Sequence, residues 1–171
     1  NSTRYDETQG NIHLRKAVAR FTYSWNGNLA EEDIVTTAGV TNAVALALSV
    51  IAKTGDTIAV ESPVYFGMLQ LANSLGLRVL ELPTNPETGI DPDALKRVLP
   101  QINACLLISN FNNPLGSCMP DEHKKEVVNM LAEHNIPLIE DDLYGDIFFG
   151  NSRPKPCKAF DKEGIVVWGC I

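Results

Sequence analysis

Apolar and polar positions along this chain alternate between two rhythms. Leu14, Ala17, Val18 and Phe21 recur at helical spacing, which predicts an amphipathic helix over residues 11–25. Ile34–Thr37 is a short apolar and β-branched run and predicts a strand. Asn42–Lys53 is strongly apolar at helical length, and Thr54-Gly55-Asp56 stops it. Thr57–Glu61 predicts a strand, Tyr65–Leu75 a helix closed by Gly76, and Arg78–Leu82 another strand. Asp91-Pro92 is a helix start, with Asp as the cap and Pro in the first turn, and that helix ends before Pro100. Ala104–Ser109, Pro137–Asp141 and Ile165–Cys170 predict three more strands, with a charged amphipathic helix over Pro120–His134. Gly150–Ala159, with two prolines, reads as a loop.

Strands that alternate with helices imply right-handed crossovers. Near-continuous apolar strands imply helices on both faces of the sheet. The expected fold is a single α/β domain over residues 1–171, a three-layer α/β/α architecture with a mostly parallel sheet. The 171 residues are 44% hydrophobic and 20% charged, which suffices for one core. A net charge of −7 with scattered basic residues argues against nucleic-acid binding by this segment. The four cysteines form no CxxC pair and the three histidines complete no zinc spacing. Cys105 and Cys170 read as small core residues. No apolar leader opens the chain, and the most apolar stretch, Ala43–Ala52, is too short to span a bilayer. A reduced, cytoplasmic setting without a membrane partner is the expectation.

In open α/β sheets ligands bind beyond the carboxyl ends of the strands. Four such positions carry suggestive residues. Ala38-Gly39-Val40-Thr41 is a glycine turn entering a helix, where free N–H groups favour a phosphate. Taken alone it also reads as a turn with a Thr cap. Glu61-Ser62-Pro63-Val64-Tyr65-Phe66 puts aromatic rings where a flat ligand could stack, or where they simply pack the helix start. Asn110-Phe111-Asn112-Asn113-Pro114-Leu115-Gly116 is a polar turn whose amides reach a ligand or bond only their own backbone. Glu140-Asp141-Asp142-Leu143-Tyr144 is an acidic strand end. Its carboxylates could pair with a pyridine nitrogen, hold magnesium, or face water.

The order and spacing of these elements resemble the class I/II aminotransferases of pyridoxal-5′-phosphate (PLP) fold type I. The resemblance is carried by Tyr5…Gly10…Leu14-Arg15, Thr37-Ala38-Gly39-Val40-Thr41-Asn42-Ala43, Pro63-Val64-Tyr65, Asn113-Pro114-Leu115-Gly116 and Asp141-Asp142-Leu143-Tyr144. It implies that the chain is part of the PLP-binding large domain. Gly39, Val40 and Thr41 would cradle the cofactor phosphate. Tyr65 would stack on the ring, Asn113 and Tyr144 would donate to the ring oxygen O3′, and Asp141 would pair with the ring nitrogen. Tyr5 would reach the phosphate of a partner subunit in a homodimer.

Two departures stand out. Leu115 replaces a threonine in Asn-Pro-Thr-Gly, which removes a hydroxyl. The lysine that holds the cofactor in the family follows a strand like Ile165–Cys170, and the chain ends at Ile171. The eight lysines present, Lys16, Lys53, Lys96, Lys124, Lys125, Lys155, Lys158 and Lys162, read as surface residues. No catalytic residue is therefore assigned, and the segment is expected not to transaminate. The family's small C-terminal domain is expected to lie outside it. The antiparallel strand that follows the lysine in the family would be missing too, leaving two sheet edges open to pairing.

The local wording Gly-Val-Thr-Asn-Ala, Glu-Ser-Pro-Val-Tyr and Glu-Asp-Asp-Leu-Tyr is closer to the effector domain of GntR-type regulators of the MocR subfamily. There a DNA-binding domain precedes the aminotransferase-like one, and PLP with an amino acid acts as a sensed ligand. A free-standing amino-acid aminotransferase is the second reading. A magnesium-dependent phosphoryl-transfer domain built on Asp141 and Asp142 is a third.

Overall fold

The computed structural model describes residues 5 and 7–169. Helix α1 (Ile12–Phe21) is capped by Asn11, whose side chain accepts from the His13 and Leu14 amides, and a 3-10 turn (Thr22–Trp25) continues it. Helix α2 (Val40–Ile51) leads to strand β1 (Thr57–Ser62), and α3 (Phe66–Ser74) to β2 (Arg78–Asn85). A two-residue strand β3 (Gly89–Ile90) folds back antiparallel on β2 before α4 (Pro92–Val98). Asp91 caps α4 as the sequence predicts, accepting from the Asp93 amide at 3.0 Å. Strand β4 (Ala104–Leu107), helix α5 (Asp121–Glu133), strand β5 (Leu138–Asp141) and strand β6 (Val166–Gly169) complete the fold.

The sheet order is β3-β2-β1-β4-β5-β6, parallel throughout except for β3. Strand side chains alternate between faces. Ile58, Val60, Ala104, Leu106 and Ile139 pack under α2 and α3 with Val44, Leu48, Met68 and Ala72. Ala59, Cys105, Leu107 and Leu138 pack on the other face against Leu95 of α4 and Val127, Val128 and Leu131 of α5. The three-layer architecture is thus the one read from the sequence. No helix among the described residues is long and apolar enough to cross a membrane.

Four expectations need correction. Ile34–Thr37 is not a strand. Ile34 has extended backbone, and the Thr36 amide bonds the Gln9 carbonyl at 2.9 Å, but the segment has no ladder partner among the described residues. A slot of about 320 Å³ separates it from the edge strand β6, lined by Leu14, Val18, Val35, Ala43 and Trp168 among others. An extended segment becomes a strand only when another strand takes its hydrogen bonds. Second, β2 runs three residues further than predicted, because its far end pairs with β3. Third, the loop after Gly150 contains a 3-10 turn at Cys157–Phe160, with Cys157 fully buried. Fourth, Lys124 is not a surface residue. It is fully buried, and its Nζ donates to Asn110 Oδ1 and to the Lys155 carbonyl, both at 2.6 Å. The Cys170 part of the last predicted strand lies outside the described residues.

Exposure, not hydrophobicity, sets the cost of truncation. Leu131 is fully buried against α4 and the sheet, whereas Val50 is 84% exposed on the apolar helix α2. Leu131→Ala is expected to lower unfolding free energy by about 2–5 kcal/mol and Val50→Ala by well under about 1 kcal/mol. Urea denaturation of the two variants checks the contrast.

Candidate cofactor site

The strand order reverses between β1 and β4. From β1 the chain crosses by α3 to β2, and it returns by α4 on the opposite face to β4. Such a switch point opens a crevice beyond the carboxyl ends of the strands. The pairing of β1 with β4 stops at Val60 and Leu106, so the two strands part there.

Helix α2 enters from this edge, since a crossover helix runs antiparallel to its strand. Gly39 precedes its first turn with φ +89°, a left-handed value that favours glycine, and a Cβ placed there would meet nothing within 4 Å. No side chain caps the helix. Its first amides are therefore left for an anion. Val40 packs into the core beside them, and Thr41 is exposed. The alternative in which Thr41 caps the helix is not what forms, because Gly39 occupies the cap position.

Tyr65 immediately precedes α3 and packs against the same apolar cluster as Val40. Its ring lies tilted on Phe66 at 4.9 Å and passes so close to Gly67 that a Cβ there would sit 2.4 Å from it. Gly67 thus makes room for the ring.

The acidic end of β5 divides its labour by strand alternation. Glu140 points to the face of α5, is fully buried, and accepts from the Ser109 hydroxyl and from the Cys157 (2.6 Å) and Lys158 (3.0 Å) amides. It bolts the 157–160 turn to the sheet. Asp142 is engaged by Arg153 at 2.5 Å, Asn110 Nδ2 at 2.8 Å and Trp168 Nε1 at 2.8 Å. Asp141 lies on the α2 face with Ile139. Its Oδ1 accepts only the Leu143 amide at 3.2 Å, and its other oxygen has no partner among the described residues. Burial raises the Asp141 pKa, the Leu143 amide opposes this, and the charge of Asp142 adds to it. A carboxylate so placed gains from a cationic hydrogen-bond donor. With Asp142 taken by three donors, the two aspartates do not form a free pair for magnesium, and the described residues contain no group of three His, Cys, Asp or Glu side chains able to hold a metal.

The three asparagines also separate. Asn110 is buried in the Asp142–Lys124 network. Asn112 makes the Asx-turn, its Oδ1 accepting from the Leu115 amide at 3.2 Å. Asn113 is half-exposed with its side-chain amide unengaged, and it lines a cleft of about 410 Å³ together with Phe111, Tyr144, Ile147 and Phe149. The fold therefore brings Gly39, Val40, Tyr65 and Asp141 to one face of the sheet edge, and Asn113 and Tyr144 to one cleft. Tyr5 is fully exposed.

The chain is similar to known proteins over nearly its whole length. The family model "Aminotransferase class I and II" matches residues 1–169. The chain belongs to the class I and II aminotransferase family. It is 39% identical over 165 residues to the HTH-type transcriptional regulator YjiR of Escherichia coli, covering 95% of this chain and 35% of that protein. To the tyrosine aminotransferase of Homo sapiens it is 29% identical, over 93% of this chain and 36% of that one. The chain spans about a third of the length of these relatives. Among solved structures, an archaeal alanine:glyoxylate aminotransferase superposes with a TM-score of 0.92 at 26% identity, covering 99% of this chain and 44% of that one. LysN, an α-aminoadipate aminotransferase from Thermus thermophilus complexed with a phosphopyridoxyl-leucine, gives 0.88 at 29% identity, over 98% and 43%.

The cofactor that goes with this family is PLP. The residues present fit it, because an uncapped helix start suits its phosphate and the free Asp141 oxygen suits its ring nitrogen. Sequence reasoning missed the supporting side chains Glu61, Ser109, Lys124, Arg153 and Trp168. The one available signal was the density of polar residues at apolar strand ends.

These contacts set two expectations for stability. The side chains of Arg153 and Asp142 are 5% and 0% exposed, so Arg153→Met strands a buried charge and is expected to cost about 3–5 kcal/mol. Thermal and urea unfolding measure it. Burial also pushes Glu61 from 4.5 to about 8. Between those values the unfolded chain has released a proton that the folded chain keeps. Stability is therefore full below the lower value and falls by about 1.4 kcal/mol per pH unit as pH rises towards the upper one. Glu61→Gln is expected to flatten this dependence, as read from urea unfolding across the window.

Proposed function

We propose that this chain is the PLP-holding part of an aminotransferase-like effector domain in a transcription regulator of the GntR/MocR type. The observation that carries the cofactor reading is Asp141, the one member of the acidic strand end with an oxygen left over, on the same face as the bare start of α2. In this reading Gly39, Val40 and Thr41 hold the phosphate, Tyr65 covers the ring, Asn113 and Tyr144 donate to O3′, and Asp141 pairs with the ring nitrogen. Bound there, PLP supplies an electron sink and an aldehyde that recognises amino groups. The chain's own residues orient the ring, exclude water from one face and keep its nitrogen protonated. Identity to regulators of Escherichia coli favours the regulator over a free-standing aminotransferase. DNA contact would then fall to another domain, in keeping with a charge of −7. The protein would be cytoplasmic, and the amino acid an effector.

The same reading includes a homodimer, with Tyr5 serving the partner's phosphate. It is supported by the outer edge of β6, which has no further strand partner among the described residues, and by the exposed Tyr5. A free-standing amino-acid aminotransferase is the second reading, favoured by the relatives of that name.

The lysines of this chain point to reversible binding. Lys124 is held by Asn110 and the Lys155 carbonyl, and Lys158 by Asp161 and the Val166 carbonyl, each bond within 2.8 Å. Lys16, Lys53, Lys96, Lys125 and Lys162 are exposed, and Lys155 faces Asp121. In this reading the chain alone is expected not to transaminate. Titration with PLP is expected to give saturable binding that Asp141→Ala weakens by about tenfold or more, the scale of one charge-assisted hydrogen bond. Borohydride treatment of the complex is expected to leave no stoichiometric adduct on any one lysine. Unchanged affinity in Asp141→Ala refutes the assignment of that residue, and a stoichiometric adduct refutes reversible binding.

A further inference from the structure

Glu61 is a buried acid at a strand end that none of these cofactor roles uses. It follows Val60, the last β1 residue whose partner, Leu106, is still in register on β4. One residue on, the strands part, and the Ile108 amide of the β4 chain would lose its ladder acceptor. Glu61 Oε2 accepts that amide at 2.6 Å. A side chain thus replaces a backbone bond at the switch point, where a ligand crevice opens.

The other oxygen, Oε1, is buried without a hydrogen-bond partner among the described residues. Two further polar groups in the adjoining turn share this condition, Asn112 Nδ2 and Ser117 Oγ. Asn112 and Ser117 face each other across the turn, with the Asn112 backbone amide donating to the Ser117 carbonyl at 2.9 Å. The Asn112 side-chain amide lies close enough to Glu61 to favour its charged form. Two of these three groups, the Glu61 carboxyl and the Asn112 amide, are thus neighbours of one another, and a buried polar group without a full hydrogen bond is costly.

We propose that Glu61 is a positioning residue of the PLP site, whose buried carboxyl joins the ends of β1 and β4 and, through Ile108 and Asn112, sets the turn that presents Asn113. It rests on the cofactor reading above only for what Asn113 touches. The mechanical link is independent of it. Glu61 lies four residues before Tyr65 and, through this link, governs Asn113, so one side chain ties two flanks of the site together.

The groups facing Glu61 decide its behaviour. Asp141 and Glu140 on β5 lie near enough to disfavour its charge, and its own charge acts on Cys105 of β4. Burial is the larger cause, and Glu61 holds its proton at neutral pH. Ionising Glu61 draws the Ile108 and Asn112 amides toward it and moves the turn.

The test uses the 171-residue chain labelled with nitrogen-15. Backbone amides of Ile108 and Asn113 are followed by NMR as pH rises, without cofactor, and PLP affinity is then measured by titration at neutral pH. The expected result is that both amides titrate with one midpoint in the wild type and that the transition vanishes in Glu61→Gln. PLP affinity is expected to stay within about threefold in Glu61→Gln, which keeps the neutral shape, and to fall about tenfold in Glu61→Leu, which keeps only volume. If the Asn113 amide does not follow the Ile108 transition, or follows it equally in Glu61→Gln, the proposal is overturned. Full PLP affinity in a folded Glu61→Leu overturns it as well. If Glu61→Leu fails to fold, the amide titration in wild type and Glu61→Gln decides. Absence of PLP binding by the wild type counts against the cofactor reading, while the cofactor-free amide titration still decides the role of Glu61.

Discussion

Where parallel strands end, their backbone groups lose ladder partners, and in this fold buried carboxyl groups take over. Glu61 receives the Ile108 amide, Glu140 receives those of Cys157 and Lys158, and Asp142 collects Arg153, Asn110 and Trp168. Each carboxyl joins elements that are distant in sequence. These ties engage the acids on either side of Asp141, which itself accepts only the Leu143 amide among the described residues. Burying so much acid raises proton affinity at Glu61, Glu140 and Asp141, with desolvation as the leading cause each time. The arrangement therefore trades stability at higher pH for a rigid rim around the crevice.

The same network gives the N-terminal helix its place. Trp168 on β6 donates to Asp142, stacks on Phe21 at 6.5 Å and meets Trp25 edge-on at 5.2 Å. Arg153 lies over the Phe21 ring while pairing with Asp142. Arg15, buried on α1, binds the Gly10 and Glu31 carbonyls and the Glu7 side chain, which fixes the segment leading into the helix. One face of the sheet edge is thus read by helix α2 and the other by a polar network that holds α1, α5 and the 153–160 segment.

Membership in the class I and II aminotransferase family and likeness to regulators meet at this edge. A regulator needs a site that distinguishes ligand states, and a transaminase needs one that also makes a covalent bond through lysine. In the proposed reading the residues of this segment would serve the requirement common to both, which is to hold and orient a charged, planar cofactor. Lys124 illustrates the difference between presence and availability. It reaches the strand-end network, yet both its acceptors hold it as a structural cation.

The sequence by itself determined the three layers and the parallel sheet, because helical and strand periods alternate strongly and the caps at Asp91 and Gly76 are local chemistry. It also nominated the candidate site residues, since the order Gly39-Val40-Thr41, Tyr65, Asn113, Asp141 and Tyr144 is linear information. The tertiary structure alone decided which acids stay free. Glu140, Asp141 and Asp142 are equivalent in composition, and only the alternation of β5 and the distant partners Ser109, Arg153 and Trp168 separate them. It likewise decided that Lys124 is buried and that Ile34–Thr37 is not a strand. The physical reason is the same in each case. Hydrogen bonding and burial at these positions depend on partners far away in the chain, and no local pattern encodes them.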